Sequence, residues 1–265
     1  MSSDSAPGLL GSAGRRRASS TSWSLLLLVG VSVLFTALLT GGSSTEGGSP
    51  GHPGDNDIVL DSLAGVWFGQ IAAAVLAVLA ITSEYSTHTI RATFAANPRR
   101  RTVLAAKATV VGGVVLAAGL ATSVACFLVG QWLLHGGGFT YENGYPAVTL
   151  ADDKALRAGL CSGVYLGALA IFSLGVGTMA RHTAGAITVV LAAVLGPVIA
   201  IGVLPENIGD QLGKFSLMGA GLAMQQTVER PDNIPIGPVG GLAVVDAYGA
   251  GALAVGLWTI GRRDA

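Results

Sequence analysis

Side chains able to ligate metal or attack a carbonyl are few and scattered. Cys126 and Cys161 each sit inside an apolar run, and His52, His88, His135 and His182 lie far apart, with no ligand spacing among them or to the thiols. The thiols therefore read as small apolar packing residues. No metal or other cofactor is expected. A phosphate-binding loop needs Gly, four residues, then Gly-Lys-Ser/Thr, so that backbone amides and the Lys cradle the phosphates. The nearest string, Gly209-Asp210-Gln211-Leu212-Gly213-Lys214-Phe215, has the wrong spacing and puts Phe215 where a magnesium-binding hydroxyl belongs. Nor do paired polar catalytic groups fall at one depth of any apolar run, so the chain reads as a non-enzyme. Any nucleotide hydrolysis that serves it must come from a separate chain.

The chemistry that is present is electrostatic, and it is concentrated in one short stretch. Glu84-Tyr85-Ser86-Thr87-His88-Thr89-Ile90-Arg91-Ala92-Thr93-Phe94 is followed by Asn97-Pro98-Arg99-Arg100-Arg101 and Ala106-Lys107. Glu84 to Ala96 has no internal Gly or Pro and is expected to form a short helix. Pro98 would end it, because the residue before proline is pushed out of the helical region. Ile90 and Phe94 share one face, Thr87 and Arg91 another. By composition alone the stretch could equally be a basic loop that anchors to lipid headgroups.

The elements that position this stretch are apolar. The chain of 265 residues is 51% hydrophobic and 11% charged, where a soluble domain carries about 25% charged residues. The apolar runs are continuous rather than alternating, which indicates helices and not a barrel. A helix needs ~20 residues to cross a ~30 Å hydrocarbon layer. Six segments fit: Trp23–Thr40, Leu63–Thr82, Thr109–Leu134, Leu156–Met179, Ala184–Leu204 and Val239–Ile260. The last is the weakest, with Asp246 in its first third. The first follows Arg15-Arg16-Arg17 but is long for the core of a secretory signal, so it reads as an uncleaved span. The expected organisation is a Ser-rich disordered tail over 1–22 and an all-α integral membrane domain over 23–265. Between spans lie a basic connection at 83–102 and a long outer loop at 205–238.

Charge sets the expected orientation, since Lys and Arg near span ends stay on the cytoplasmic side. With the N-terminus inside, six spans return the C-terminus inside. Eleven of the 15 basic residues then fall in the cytoplasm with only Asp4, Glu84 and Asp264; the other twelve acidic residues face Lys154, Arg157, Lys214 and Arg230 outside. A zero formal charge hides this asymmetry. It also places 83–102 in the cytoplasm.

There the string Glu84-Tyr85, Thr89-Ile90-Arg91, Thr93, Pro98-Arg99-Arg100 and Ala106-Lys107 resembles the segment after the second span of type-2 ABC permeases. The chain's end, Gly240-Gly241-Leu242, Tyr248, Gly256 and Arg262-Arg263-Asp264-Ala265, is similar to that family's last helix. His88 stands where the family commonly has Gly before Thr-Ile-Arg. The resemblance implies the membrane subunit of a bacterial ABC exporter, multi-pass in the cell membrane. Its implied partners are a cytoplasmic ABC ATPase and a second copy or a homologous permease, with lipid around them and no nucleic acid. It further implies that a short cytoplasmic coupling helix docks on the ATPase. The expected docking surface is Glu84, Tyr85, Thr89, Ile90, Arg91 and Phe94, with Pro98 as the stop and Arg99, Arg100, Arg101 and Lys107 as anchors.

Three further features complete the reading. Leu212 to Thr227 is rather apolar for a free loop and too short for two spans. It reads as an interfacial amphipathic helix or, by the resemblance, as re-entrant helices dipping into the outer leaflet. Gly159, Gly163 and Gly167 form a stripe for close helix packing, within the chain or at a seam between copies. The middles of the spans hold no charge, and Gln70 and Gln131 read as interhelical hydrogen-bond formers. That absence disfavours an ion-coupled carrier or channel working without an ATPase, which is the alternative function, because such proteins keep ionisable groups in the bundle. An apolar pathway suits a hydrophobic or amphipathic cargo such as a drug, antibiotic or lipid-like molecule.

Overall fold

The computed structural model describes residues 24–41, 57–86, 100–140, 148–228 and 236–263, and among them all regular structure is helical. Nine helices are described: α1 Ser24–Gly41, α2 Ile58–Ser62, α3 Val66–Ser86, α4 Arg100–Gly136, α5 Asp153–Ala180, α6 Thr183–Ile201, α7 Glu206–Phe215, α8 Leu217–Gln225 and α9 Pro238–Arg263. Six of them, α1, α3, α4, α5, α6 and α9, are long and apolar enough to cross a membrane. The chain is thus a multi-pass membrane protein by helix length and composition. Its outer faces agree: Leu27, Leu34 and Leu38 of α1, Ile199 of α6 and Val239 of α9 are exposed, an arrangement that suits lipid and not water. Trp132 and Trp258, exposed near opposite ends of the bundle, have the placement of interfacial aromatic residues.

The core is α5. From Ser162 to Thr178 nearly every residue is buried, as befits a helix apolar on all sides. Around it pack α3, α4, α6, α8 and α9. Small residues allow the close approach. A Cβ at Gly175 would lie 2.6 Å from the Ala252 carbonyl of α9. Buried hydroxyls in the helices donate back to carbonyls one turn earlier, as Ser162 does to Ala158 at 2.8 Å and Ser173 to Leu169 at 2.7 Å. No backbone or side-chain partner from water is needed there. α1 buries only Leu28, Ser32, Thr36 and Thr40, a stripe four residues apart that rests on α3. Its Thr36 Oγ1 accepts from Gly65 N at 3.1 Å, and Phe35 stacks on Phe68 with centroids 3.8 Å apart.

Helix ends follow local chemistry. Arg181 closes α5 in the left-handed conformation, φ 58°, its N–H bonded to Gly177 O. His182 then caps α6, its Nδ1 accepting from Gly185 N at 3.0 Å. Pro238 opens α9 at a first-turn position whose missing N–H costs nothing.

The boundaries depart from expectation in three places. α3 runs to Ser86 and not to Thr82, so Glu84 and Tyr85, expected to begin a separate short helix, continue the span. α4 begins at Arg100, nine residues before the expected start at Thr109, so Arg100, Arg101 and Lys107 belong to the helix and not to a connection. Hydropathy misses these first turns because Arg100, Arg101, Thr102 and Lys107 interrupt the apolar run, although Arg, Leu, Ala and Lys are good helix formers. The segment Leu212–Thr227, expected as one interfacial helix or as re-entrant helices, holds the end of α7, all of α8 and two residues beyond, with a break at Ser216, whose backbone is extended at φ −73° and ψ 146°. Ser216 Oγ accepts from Gly219 N at 2.9 Å and donates to Gly213 O at 3.0 Å. One hydroxyl thereby satisfies orphan groups of both helices.

Candidate functional site

Two ends of the bundle differ in charge. Arg101, Arg181 and Arg262 mark a basic end, where Arg262 lies 4.5 Å over the Trp258 ring and Gly261 packs beside the Arg101 guanidinium. Asp57, Asp152 and Asp153 mark the opposite end. At the basic end α3 finishes with Glu84-Tyr85-Ser86 and α4 starts with Arg100-Arg101. Lys107 follows two turns into α4, partly buried. Thr89, Ile90, Arg91, Phe94, Pro98 and Arg99 lie outside the described residues, as does the tail 1–22. The helices on either side of that segment are held to the bundle: Thr183 Oγ1 of α6 donates to Thr82 Oγ1 of α3 at 3.0 Å, and Ile81, Leu104, Ala108, Leu174 and Ile260 form one buried cluster.

The glycine stripe of α5 meets α4. A Cβ at Gly163 would lie 2.5 Å from Leu120 Cδ2, and one at Gly167 would lie 3.0 Å from Leu116 Cβ. Gly112 and Gly119 of α4 answer from the other side, so the two backbones approach within van der Waals reach. Gly159 differs, with nothing within 4 Å of such a Cβ.

Between α1, α3 and α4, in the half toward the basic end, runs an apolar groove of about 430 Å³ walled by Leu76, Leu79, Val110 and Val114, with Ser24 and Ser83 among its few polar atoms. Its shape and lining suit an alkyl chain whose polar end lies near the basic end.

A polar assembly lies at the acidic end, under α8, and of it the sequence picks out Gln70, Gln131 and Arg157 but not their partners. Gln70 of α3 accepts from the Tyr165 hydroxyl of α5 and donates from Nε2 to Met218 Sδ of α8 at 3.5 Å. Gln131 of α4 donates to Ser62 Oγ at 3.0 Å. Asp57, 3% exposed, is the N-cap of α2, accepting from Leu60 N at 3.1 Å. Its carboxylate also accepts from Thr227 N at 2.7 Å, Thr227 Oγ1 at 2.6 Å and Val228 N at 3.1 Å. Arg157 adds a bond from its guanidinium to Gln226 O at 2.7 Å. The far end of α8 is thus latched to α2 and α5, while the Ser216 end is tied to α9 through Tyr248 Oη donating to Phe215 O at 3.0 Å. Gln70 and Gln131 form interhelical hydrogen bonds, as expected from the sequence; Asp57 before an apolar run marks a cap but not its second set of partners.

Among the described residues no group of three or more His, Cys, Asp or Glu is placed to hold a metal ion. Cys126 is a buried free thiol and Cys161 a partly buried one. The site's resources are hydrogen bonds, shape and one-sided charge. No protein-family model, curated protein or solved structure matches the chain.

Proposed function

We propose that the chain is the membrane-spanning permease subunit of an ATP-binding-cassette transporter, exporting a hydrophobic or amphipathic compound with ATP hydrolysed by a separate cytoplasmic subunit. The observation that carries this reading is the segment 84–107. Its residues resemble the ATPase-docking stretch of type-2 permeases, and it joins α3 to α4 at the basic end of the bundle. In this reading the basic end is cytoplasmic and both termini lie there. The lipophilic groove between α1, α3 and α4 lies in the half of the bundle toward the same side, and the α7–α8 pair is the outer segment that re-enters the membrane.

The mechanics follow from α4. It runs 37 residues without a break, about 55 Å, longer than the ~30 Å hydrocarbon layer. Its first turns, with Arg100, Arg101 and Lys107, project past the apolar span as a lever. Gly112 and Gly119 then lock the lever to α5, so a push on the connection between α3 and α4 tilts the packed core instead of bending one helix. Two copies, or this chain and a homologous permease, would each engage a motor, and closure of the motors would move both levers together.

The test is replacement of Ile90 and Arg91 together by Ala in the full chain. The expected result is loss of ATPase co-purification and of ATP-dependent export while the chain still inserts. If partner retention and transport are unchanged, the assignment is wrong. Transport that persists without ATP but collapses with the proton gradient would favour an ion-coupled carrier instead.

A further inference from the structure

Under α8 lies a small cavity walled by Trp67 and Gln70 of α3, Tyr165 of α5, and Met218, Gly221 and Gln225 of α8. Two groups in its wall are buried without a partner: Trp67 Nε1 and Gln225 Oε1. Their chemistry is complementary, since the indole N–H only donates and the amide oxygen only accepts. They do not bond each other. Two other polar groups of the wall are engaged, Tyr165 donating to Gln70 and Gln70 donating to Met218 Sδ. Gln225 is 1% exposed, and its Oε1 and the Trp67 Nε1 are both shielded from solvent.

Buried polar groups in folded proteins are paired with protein or with ordered water, and a cavity needs about 10–15 Å³ of room for a water's centre. This cavity offers about 10 Å³ of such room, enough for one water and too little for any larger solute. We propose that it holds a single buried water, accepting from Trp67 Nε1–H and donating to Gln225 Oε1. The Tyr165 hydroxyl oxygen, in the same wall, is an acceptor for the second proton. The site exists because Gly221 has no side chain: a Cβ there would lie 2.6 Å from the Tyr165 ring. The water joins Trp67 of α3 to Gln225 of α8, alongside the direct Gln70 to Met218 contact. The inference is independent of the transport reading, since it rests on two orphaned atoms and the space between them.

The test uses the full chain in lipid nanodiscs. A structure of the unaltered protein, at a resolution that shows ordered water, is expected to have density within hydrogen-bond distance of Trp67 Nε1 and Gln225 Oε1. In parallel, Trp67→Phe and Gln225→Met are each expected to lower the melting temperature, and the double variant to lower it by clearly less than the sum, because both remove ends of one bridge. A dry cavity, a Gln225 amide turned to bond Trp67 directly, or additive losses would overturn the proposal. Should a variant fail to fold, the density in the unaltered protein decides.

Discussion

Replacing Asp57 by Ala releases the Gln225 end of α8. The carboxylate accepts four hydrogen bonds, three of them from Thr227 and Val228, 170 and 171 residues away in the chain. Hydrogen bonds to a charged acceptor contribute about 1.5–3 kcal/mol each and are not additive, and donors left buried without a partner add their own cost. The one from Leu60 N is the cap on α2, a local bond worth about 1 kcal/mol. A loss of about 3–5 kcal/mol for Ala follows. Asn keeps the cap and one acceptor oxygen but turns an N–H₂ toward existing donors, so about half that loss is expected. Amide hydrogen exchange at Thr227 and Val228 reads the effect locally. A loss of about 3 kcal/mol raises the opening equilibrium by roughly two orders of magnitude, while amides in α5 should keep their protection. If Asp57→Ala leaves Thr227 and Val228 as protected as before, the latch carries no load and the reasoning fails.

Three other outcomes follow from the packing. Gly163→Ala drives a methyl into Leu120 of α4 and is expected to cost about 1–3 kcal/mol, whereas Gly159→Ala meets open space and should leave thermal stability in detergent unchanged or slightly raised. Gly221→Ala is expected to destabilise by a similar amount through the Tyr165 ring, and Tyr165→Leu in the same chain should recover part of that loss; equal damage in both backgrounds would show that the ring is not the obstacle. Single cysteines at the basic end, at Arg181 or Arg262, are expected to be shielded from a membrane-impermeant thiol reagent in whole cells and labelled after lysis. Labelling before lysis would reverse the orientation on which the proposed function depends.

The amino-acid sequence by itself determines the elements that rest on local physics. A continuous apolar run of about 20 residues must cross the hydrocarbon and must be helical there, because no water is present to satisfy its backbone. The six spans were therefore legible, as was the sorting of basic and acidic residues to opposite ends. The helical start of α4 at Arg100 was not, because polarity hides a helix that continues past the apolar zone. Ser216 could be read as a helix cap only once Gly213 and Gly219 were known to flank it in space. Tertiary structure alone decided the rest. It set Gly163 and Gly167 against α4 while leaving Gly159 open, paired Gln70 with Tyr165, and buried Trp67 and Gln225 around one cavity. Asp57 shows the reason most clearly: its cap on Leu60 is three residues away and local, while its bonds to Thr227 and Val228 depend on α8 being folded back against α5 and α9. No periodicity in the chain encodes which distant donor meets a carboxylate; close packing of small residues does.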